Sequence, residues 1–213
     1  MRAKLKTPFD HRAALQAVLK VGDGRGFVVE GSRGRYVITA AHCLPSFPPA
    51  ISFSDTEERT YRSLLGPIGS QCSVWAECMF VDPIADIAVL GSPDDQNLPK
   101  QADKYEALLE NMLALSIAEA PRHSRGWLLS LDCDWFSCKV QHVGGPLWTT
   151  AAAEGIRGGM SGSPILLDDG KAIGVVVAGG GSEIDDDVPT EGGPDPWLVG
   201  NLPGWLLREL ASA

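Results

Sequence analysis

The sequence contains no run of about eighteen apolar residues, the length a membrane-crossing helix needs, so no segment reads as a transmembrane span. It is short of positive charge: 18 Lys and Arg stand against 27 Asp and Glu, for a net charge of -9. The basic residues are scattered, leaving no electrostatic footprint for DNA or RNA, and nucleic acid is not an expected partner. Cysteine is sparse and odd in number. Cys43, Cys72, Cys78, Cys133 and Cys138 leave at least one thiol unpaired, which suits a reducing compartment better than a disulfide framework. Their spacings match zinc knuckles poorly, so buried free thiols are expected, with no metal and no cofactor; a Cys133–Cys138 bridge stays open. Met1 to Lys20 is basic and then amphipathic but lacks a continuous apolar core and a small-residue cleavage site, so no secretory signal is read and a cytoplasmic location is expected.

What is present is the composition of an ordinary globular chain, 44% hydrophobic and 21% charged over 213 residues. Glycine at 24 and proline at 15 favour many turns between short strands, in one all-β domain or two fused barrels. Thr7 before Pro8 offers a helix start, with Ala14, Leu15, Val18 and Leu19 as a helical stripe behind it. From Gly26 the pattern becomes β: Phe27-Val28-Val29, turn residues from Gly31 to Gly34, then Tyr36 to Thr39, a hairpin that leads directly to His42. Further strand-like runs lie at Ile51–Phe53, Val74–Phe80, Ile87–Leu90, Trp127–Leu131, Val140–Val143, Ile165–Leu167 and Ile173–Val177. Between Gln101 and Leu115, Tyr105, Leu108, Leu109, Met112 and Leu113 recur at helical spacing, which predicts a helix between two β halves. Pro203 to Leu207 opens a final helix, and the acidic, Gly- and Pro-rich stretch from Gly179 to Pro196 reads as a loop or lid.

Hydrolysing an amide near neutral pH requires a nucleophile, a base to take its proton, an acid to orient that base, and donors for the developing oxyanion. The sequence offers each. His42 ends a strand in Thr39-Ala40-Ala41-His42-Cys43, Asp86 opens Asp86-Ile87-Ala88-Val89-Leu90, and Ser161 lies in Gly158-Gly159-Met160-Ser161-Gly162-Ser163-Pro164. Asp82 is the rival for Asp86; the apolar run after Asp86 favours the latter. Ser163, just before Pro164, reads as structural, and His11, His123 and His142 as surface or satisfied core residues.

With these three motifs in this order, the chain resembles the trypsin/chymotrypsin superfamily, over most of its length from about Gly26. The resemblance implies two six-stranded antiparallel β-barrels with N-terminal, inter-barrel and C-terminal helices. The domain layout expected is one protease domain over 1–213, with a first barrel at about 22–98, a helical linker at 99–122, a second barrel at 123–200 and a terminal helix at 203–213. It further implies Ser161 as nucleophile, His42 as general base and then acid, Asp86 as the orienting carboxylate, and backbone N–H groups of Gly159 and Ser161 as the oxyanion hole. Gly155 and Ile156 fall at the base of the primary pocket, and Val177, Ala178 and Gly179 along its wall. With no acid at that base, an apolar side chain is expected before the cleaved bond, although Glu154 is adjacent.

Two departures matter. Met160 stands where secreted relatives carry the aspartate that pairs with a freed N-terminus, and no Ile-Val-Gly-Gly start is present, so the chain is nearer the zymogen-less HtrA-like, bacterial branch. The cysteine that would pair with Cys43 is also missing. Gating by a partner protein, an oligomer, a further domain or the Gly179–Pro196 loop is therefore expected, with protein or peptide as substrate. Two other readings remain: a non-catalytic protein-binding module on the same scaffold, and an esterase using the same three residues.

Overall fold

The computed structural model describes residues 10–49, 56–142, 145–177 and 194–211. The chain enters through a short helix, α1 (His11–Leu15), whose N-cap Asp10 accepts the Ala13 amide at 3.0 Å. The helical stripe stops there. Val18 and Leu19 belong instead to strand β1 (Val18–Val21), paired antiparallel with β2 (Gly24–Gly31). Two partner strands and two β-branched valines outweigh a short stretch of helical spacing.

The expected hairpin joins β2 to β3 (Gly34–Thr39), and β4 (Thr60–Gly66), β5 (Val74–Asp82) and β6 (Ile87–Gly91) complete a closed barrel in the order β1-β2-β3-β6-β5-β4. Pairing of Lys20 with Gly66 and Val21 with Leu65 closes the ring, which removes the exposed sheet edges an open arrangement would carry. Leu19, Phe27, Ile38, Leu65, Ile87 and Leu90 are fully buried in its core. The run at Ile51–Phe53 lies outside the described residues.

Helix α2 (Pro99–Glu110) follows, with Ala102, Tyr105 and Leu109 buried. Tyr105 donates its hydroxyl to the carbonyls of Arg35 at 2.9 Å and Leu90 at 3.2 Å, which satisfies the one polar atom of a fully buried ring. The helix ends at Glu110 rather than continuing through Leu115. Beyond it the backbone turns to the first barrel, where the Leu113 amide reaches Gln16 O at 3.3 Å and the Leu115 amide reaches Val28 O at 2.8 Å.

The second half contains β7 (His123–Leu129), β8 (Trp135–His142), β9 (Leu147–Thr150), β10 (Pro164–Leu167), β11 (Ala172–Val175) and β12 (Pro194–Asp195), in the order β11-β10-β7-β8-β9-β12. An antiparallel bridge from Gly174 to Trp197, and the Val175 amide on Pro196 O at 3.2 Å, bring the segment after β12 back to β11 and curl the sheet. The architecture is the chymotrypsin-like two-barrel fold that the resemblance implied. One expectation is corrected: the end of the Gly179–Pro196 stretch is sheet, because β12 pairs with β9 at Trp148 and Leu147. Residues 178–193 lie outside the described residues. Short helices α3 (Leu198–Asn201) and α4 (Gly204–Ala211) close the chain.

All five cysteines are free thiols, so the 133–138 bridge is not formed. Burial pushes Cys43 and Cys78 up to about 11 and Cys138 up to about 12, leaving all three protonated at neutral pH. No helix among the described residues is long and apolar enough to cross a membrane.

Candidate active site

His42 sits in a single 3-10 turn, Ala41–Cys43, immediately after β3. Asp86 stands just before β6, which pairs with β3 through Thr39 and Ala88, so strand register alone brings the two residues together from 44 positions apart. Asp86 engages His42 twice. Oδ1 accepts the His42 backbone amide at 2.8 Å, and Oδ2 accepts the ring Nδ1–H at 2.6 Å. With the carboxylate as acceptor, the ring proton is assigned to Nδ1, which leaves Nε2 facing away from Asp86. Asp86 holds φ at +55°, a left-handed conformation that costs a non-glycine residue about 1 kcal/mol or more and is sustained here by those bonds and by the Ala41 amide on Asp86 O at 3.2 Å. The rival Asp82 is engaged elsewhere, since its Oδ1 accepts the amides of Ile84 and Ala85 and so closes the turn that delivers Asp86.

The Ser161 segment is seated on the first barrel. Its carbonyl accepts the Arg25 amide at 2.7 Å, and a Cβ placed on Gly24 would lie 2.5 Å from Cys43 Sγ and 2.7 Å from Ser161 O. Cys43 and the Ser161 segment thus meet over a glycine with no room for a side chain. Around Ser161, Gly159 (φ +87°) and Gly162 (φ +82°) both occupy the left-handed region that only glycine adopts cheaply. The Gly162 amide bonds Val176 O at 2.7 Å, and the Ser163 amide bonds Met160 O at 3.0 Å. Met160, where secreted relatives place an acid, is buried in the core of the second sheet, and its sulfur accepts the Arg157 amide at 3.2 Å. Apolar packing of Met160 holds this loop to the second core. Ser163 is fully buried, and its hydroxyl has no hydrogen-bond partner among the described residues.

Of the pocket residues, Gly155 and Ile156 are half-buried, with Ile156 packed on the second core, and Val177 is buried; Ala178 and Gly179 lie outside the described residues. Of the remaining histidines, His11 packs edge-on to Trp127 at 4.7 Å and His142 lies over Trp197 at 3.7 Å. Among the described residues no cluster of three or more His, Cys, Asp or Glu could hold a metal.

Sequence reasoning missed two charged residues beside this site. Asp195 is fully buried; its Oδ2 accepts the Thr149 hydroxyl at 3.0 Å, while Oδ1 has no partner among the described residues. Burial pushes its carboxyl up to about 8, opposed by the Thr149 and Val177 hydrogen bonds. Arg25 is 6% exposed and directs its guanidinium at the carbonyls of Leu129, Ser130 and Leu131. Its only sequence signal is a charged residue between two strand glycines.

A trypsin-like peptidase domain model matches residues 24–175. The structure is similar to the inactive form of the Rv3671c protease, with a TM-score of 0.53 and 15% identity over 99% of this chain and 98% of that one. It is also similar to the apo MamO protease domain from Magnetospirillum magneticum, with a TM-score of 0.55 and 15% identity over 91% of this chain and 100% of that one. No curated protein sequence matches the chain.

Proposed function

Because the chain belongs to the trypsin-like peptidase family, we propose that it is a serine endopeptidase in which Ser161 attacks the substrate carbonyl, His42 takes and returns the proton, and Asp86 orients the imidazole. The observation that supports this reading most is the pair of hydrogen bonds that His42 donates to Asp86. It leaves Nε2 on the side away from the carboxylate, while the Ser161 carbonyl is bonded to the Arg25 amide and approaches Cys43, the residue after His42, over Gly24. In the reaction, Ser161 Oγ bonds to the carbonyl carbon as its proton passes to His42 Nε2. The oxygen's developing charge falls to the Gly159 and Ser161 amides, and collapse expels the amine with that proton. Water then repeats the sequence on the acyl-enzyme.

With Met160 packed in the core, the reading includes no N-terminal zymogen step. Control by a partner, an oligomer, a further domain or the acidic Gly179–Pro196 stretch is part of the proposal, and neutralising Asp185, Asp186 and Asp187 tests the last of these: unchanged turnover removes that candidate. A cytoplasmic setting fits the five free thiols. An apolar side chain before the cleaved bond remains the expected specificity, and peptide-library profiling reads it directly; a dominant Arg or Lys there would refute it and point to Glu154.

A fluorophosphonate probe tests the central claim. Labelling of the wild-type protein that disappears in Ser161→Ala supports it, and equal turnover by the two proteins refutes it. Comparing amide with ester substrates separates a peptidase from an esterase, and a wild-type protein that neither labels nor turns over either substrate class would point to the binding-module reading.

A further inference from the structure

Arg25 is a buried cation with no carboxylate, among the described residues, in the groups that shift its charge equilibrium; desolvation lowers its pKa and Cys133 opposes it. Burying a guanidinium without compensation costs several kcal/mol, so its hydrogen bonds have to be good. They are directed at one short turn. Nη1 donates to Leu129 O at 3.2 Å and Ser130 O at 2.7 Å, and Nη2 to Leu131 O at 3.1 Å. That turn joins β7 to β8 and is closed on itself by the Ser130 amide on Asp134 O at 2.9 Å and the Cys133 amide on Ser130 O at 3.1 Å.

The turn reaches the nucleophile loop. Leu131 Cδ2 lies 3.3 Å from where a Cβ on Gly159 would stand, so its side chain leans on the glycine whose amide the proposed oxyanion hole needs. The backbone of the same arginine supports the other side of the loop. Its amide donates to Ser161 O at 2.7 Å, its carbonyl accepts Thr39 Oγ1 at 2.6 Å, and Gly162 rests directly against that carbonyl. One residue of the first barrel therefore touches the loop at Ser161 and Gly162 through its main chain, and at Gly159 through the turn its side chain grips.

We propose that Arg25 is a positioning residue: by forking its guanidinium across the carbonyls of Leu129, Ser130 and Leu131, it holds Leu131 against Gly159 and keeps the Ser161 loop in its reactive conformation. The inference rests on the Ser161 reading above. It also gives a physical reason for arginine. Three carbonyls fanned around one turn match a planar fork of donors, whereas a lysine ammonium is a point charge on a flexible stem.

The test compares the second-order rate of fluorophosphonate labelling, together with kcat and KM on a cleaved peptide, for the wild-type chain, Arg25→Met, Arg25→Lys and Leu131→Ala. Arg25→Met is expected to label about 10²-fold more slowly, on the scale of losing one oxyanion donor. The loss should appear in kcat with KM within about threefold, in a protein whose circular dichroism shows it folded; a purely structural role would lower the unfolding temperature and leave the folded enzyme's kcat intact. Arg25→Lys is expected to recover less than a tenth of the lost rate, and full recovery by lysine would refute the fork. If Arg25→Met does not fold, Leu131→Ala decides, since Leu131 is 44% exposed and its truncation leaves Arg25 in place. A loss of about tenfold supports the inference and an undiminished rate overturns it. Wild-type protein that labels while Arg25→Met labels equally fast sinks the positioning role alone; wild-type protein that does not label at all sinks the Ser161 reading, and this inference with it.

Discussion

Replacing Gly162 with alanine adds one methyl group at the most crowded point of the site. That carbon would overlap the Arg25 carbonyl oxygen and stand 2.6 Å from Thr39 Oγ1 and 2.8 Å from the Arg25 carbonyl carbon. None of these atoms can retreat freely, because the Arg25 carbonyl is bonded to Thr39 and the Arg25 amide to Ser161. The left-handed φ of +82° costs alanine about 1–2 kcal/mol before any contact is counted. Overpacking a rigid site adds typically about 1–3 kcal/mol, so Gly162→Ala should lower stability by about 2–5 kcal/mol. The loop relieves the overlap by moving Ser161 away from the first barrel, and a displacement of about 1 Å at a reacting atom costs on the order of 10² in rate. Urea unfolding followed by fluorescence measures the first loss, and fluorophosphonate labelling of the folded fraction measures the second. A variant with an unchanged unfolding midpoint and an unchanged labelling rate would show that Gly162 is not pressed against Arg25, and the account of how the loop is seated would be wrong.

Asp86→Asn should lower kcat by about 10⁴ while leaving the fold intact, since the amide can still bond the His42 main chain but favours the wrong ring tautomer; steady-state kinetics on a cleaved peptide checks it. Met160→Asp should destabilise the protein by several kcal/mol, because it places an unpaired carboxyl in the second core, and thermal unfolding at pH 8 reads the loss. Asp195→Asn probes a group whose folded-state pKa is raised to about 8. Its contribution is fully present below the unfolded-state pKa of about 4 and is lost as pH rises to 8, because the unfolded chain ionises first; the variant should therefore match wild type at pH 4 and exceed it by a few kcal/mol at pH 9. Thermal unfolding across that range showing a constant difference would contradict the burial of Asp195.

His42, Asp86 and Ser161 could be singled out because each lies in a local pattern of a strand end and glycines whose form does not depend on distant partners. The hairpin before His42 was legible for the same reason. Strand β1 was not, since Ala14, Leu15, Val18 and Leu19 have helical spacing and only pairing with β2 and β4 makes the second half of that stretch extended. Met112 and Leu113 continue the apolar rhythm of α2, yet contacts with the first barrel end the helix at Glu110. Arg25 and Asp195 were beyond reach of a local reading. The arginine's partners lie 104 to 106 residues away, and the aspartate sits in a Gly- and Pro-rich stretch whose final residues become sheet only by pairing with β9.

The segment between the two halves has its own bearing on how they can move. At one end, the Leu113 and Leu115 amides are bonded to Gln16 and Val28 of the first barrel; a few residues on, Ser116 and Ala118 exchange bonds with Ala172 of the second. A hinge stitched to both of the bodies it joins gives them no free swing, and a clamshell opening would have to break these four main-chain bonds at once. An agent that pried the halves apart would have to work against those four bonds.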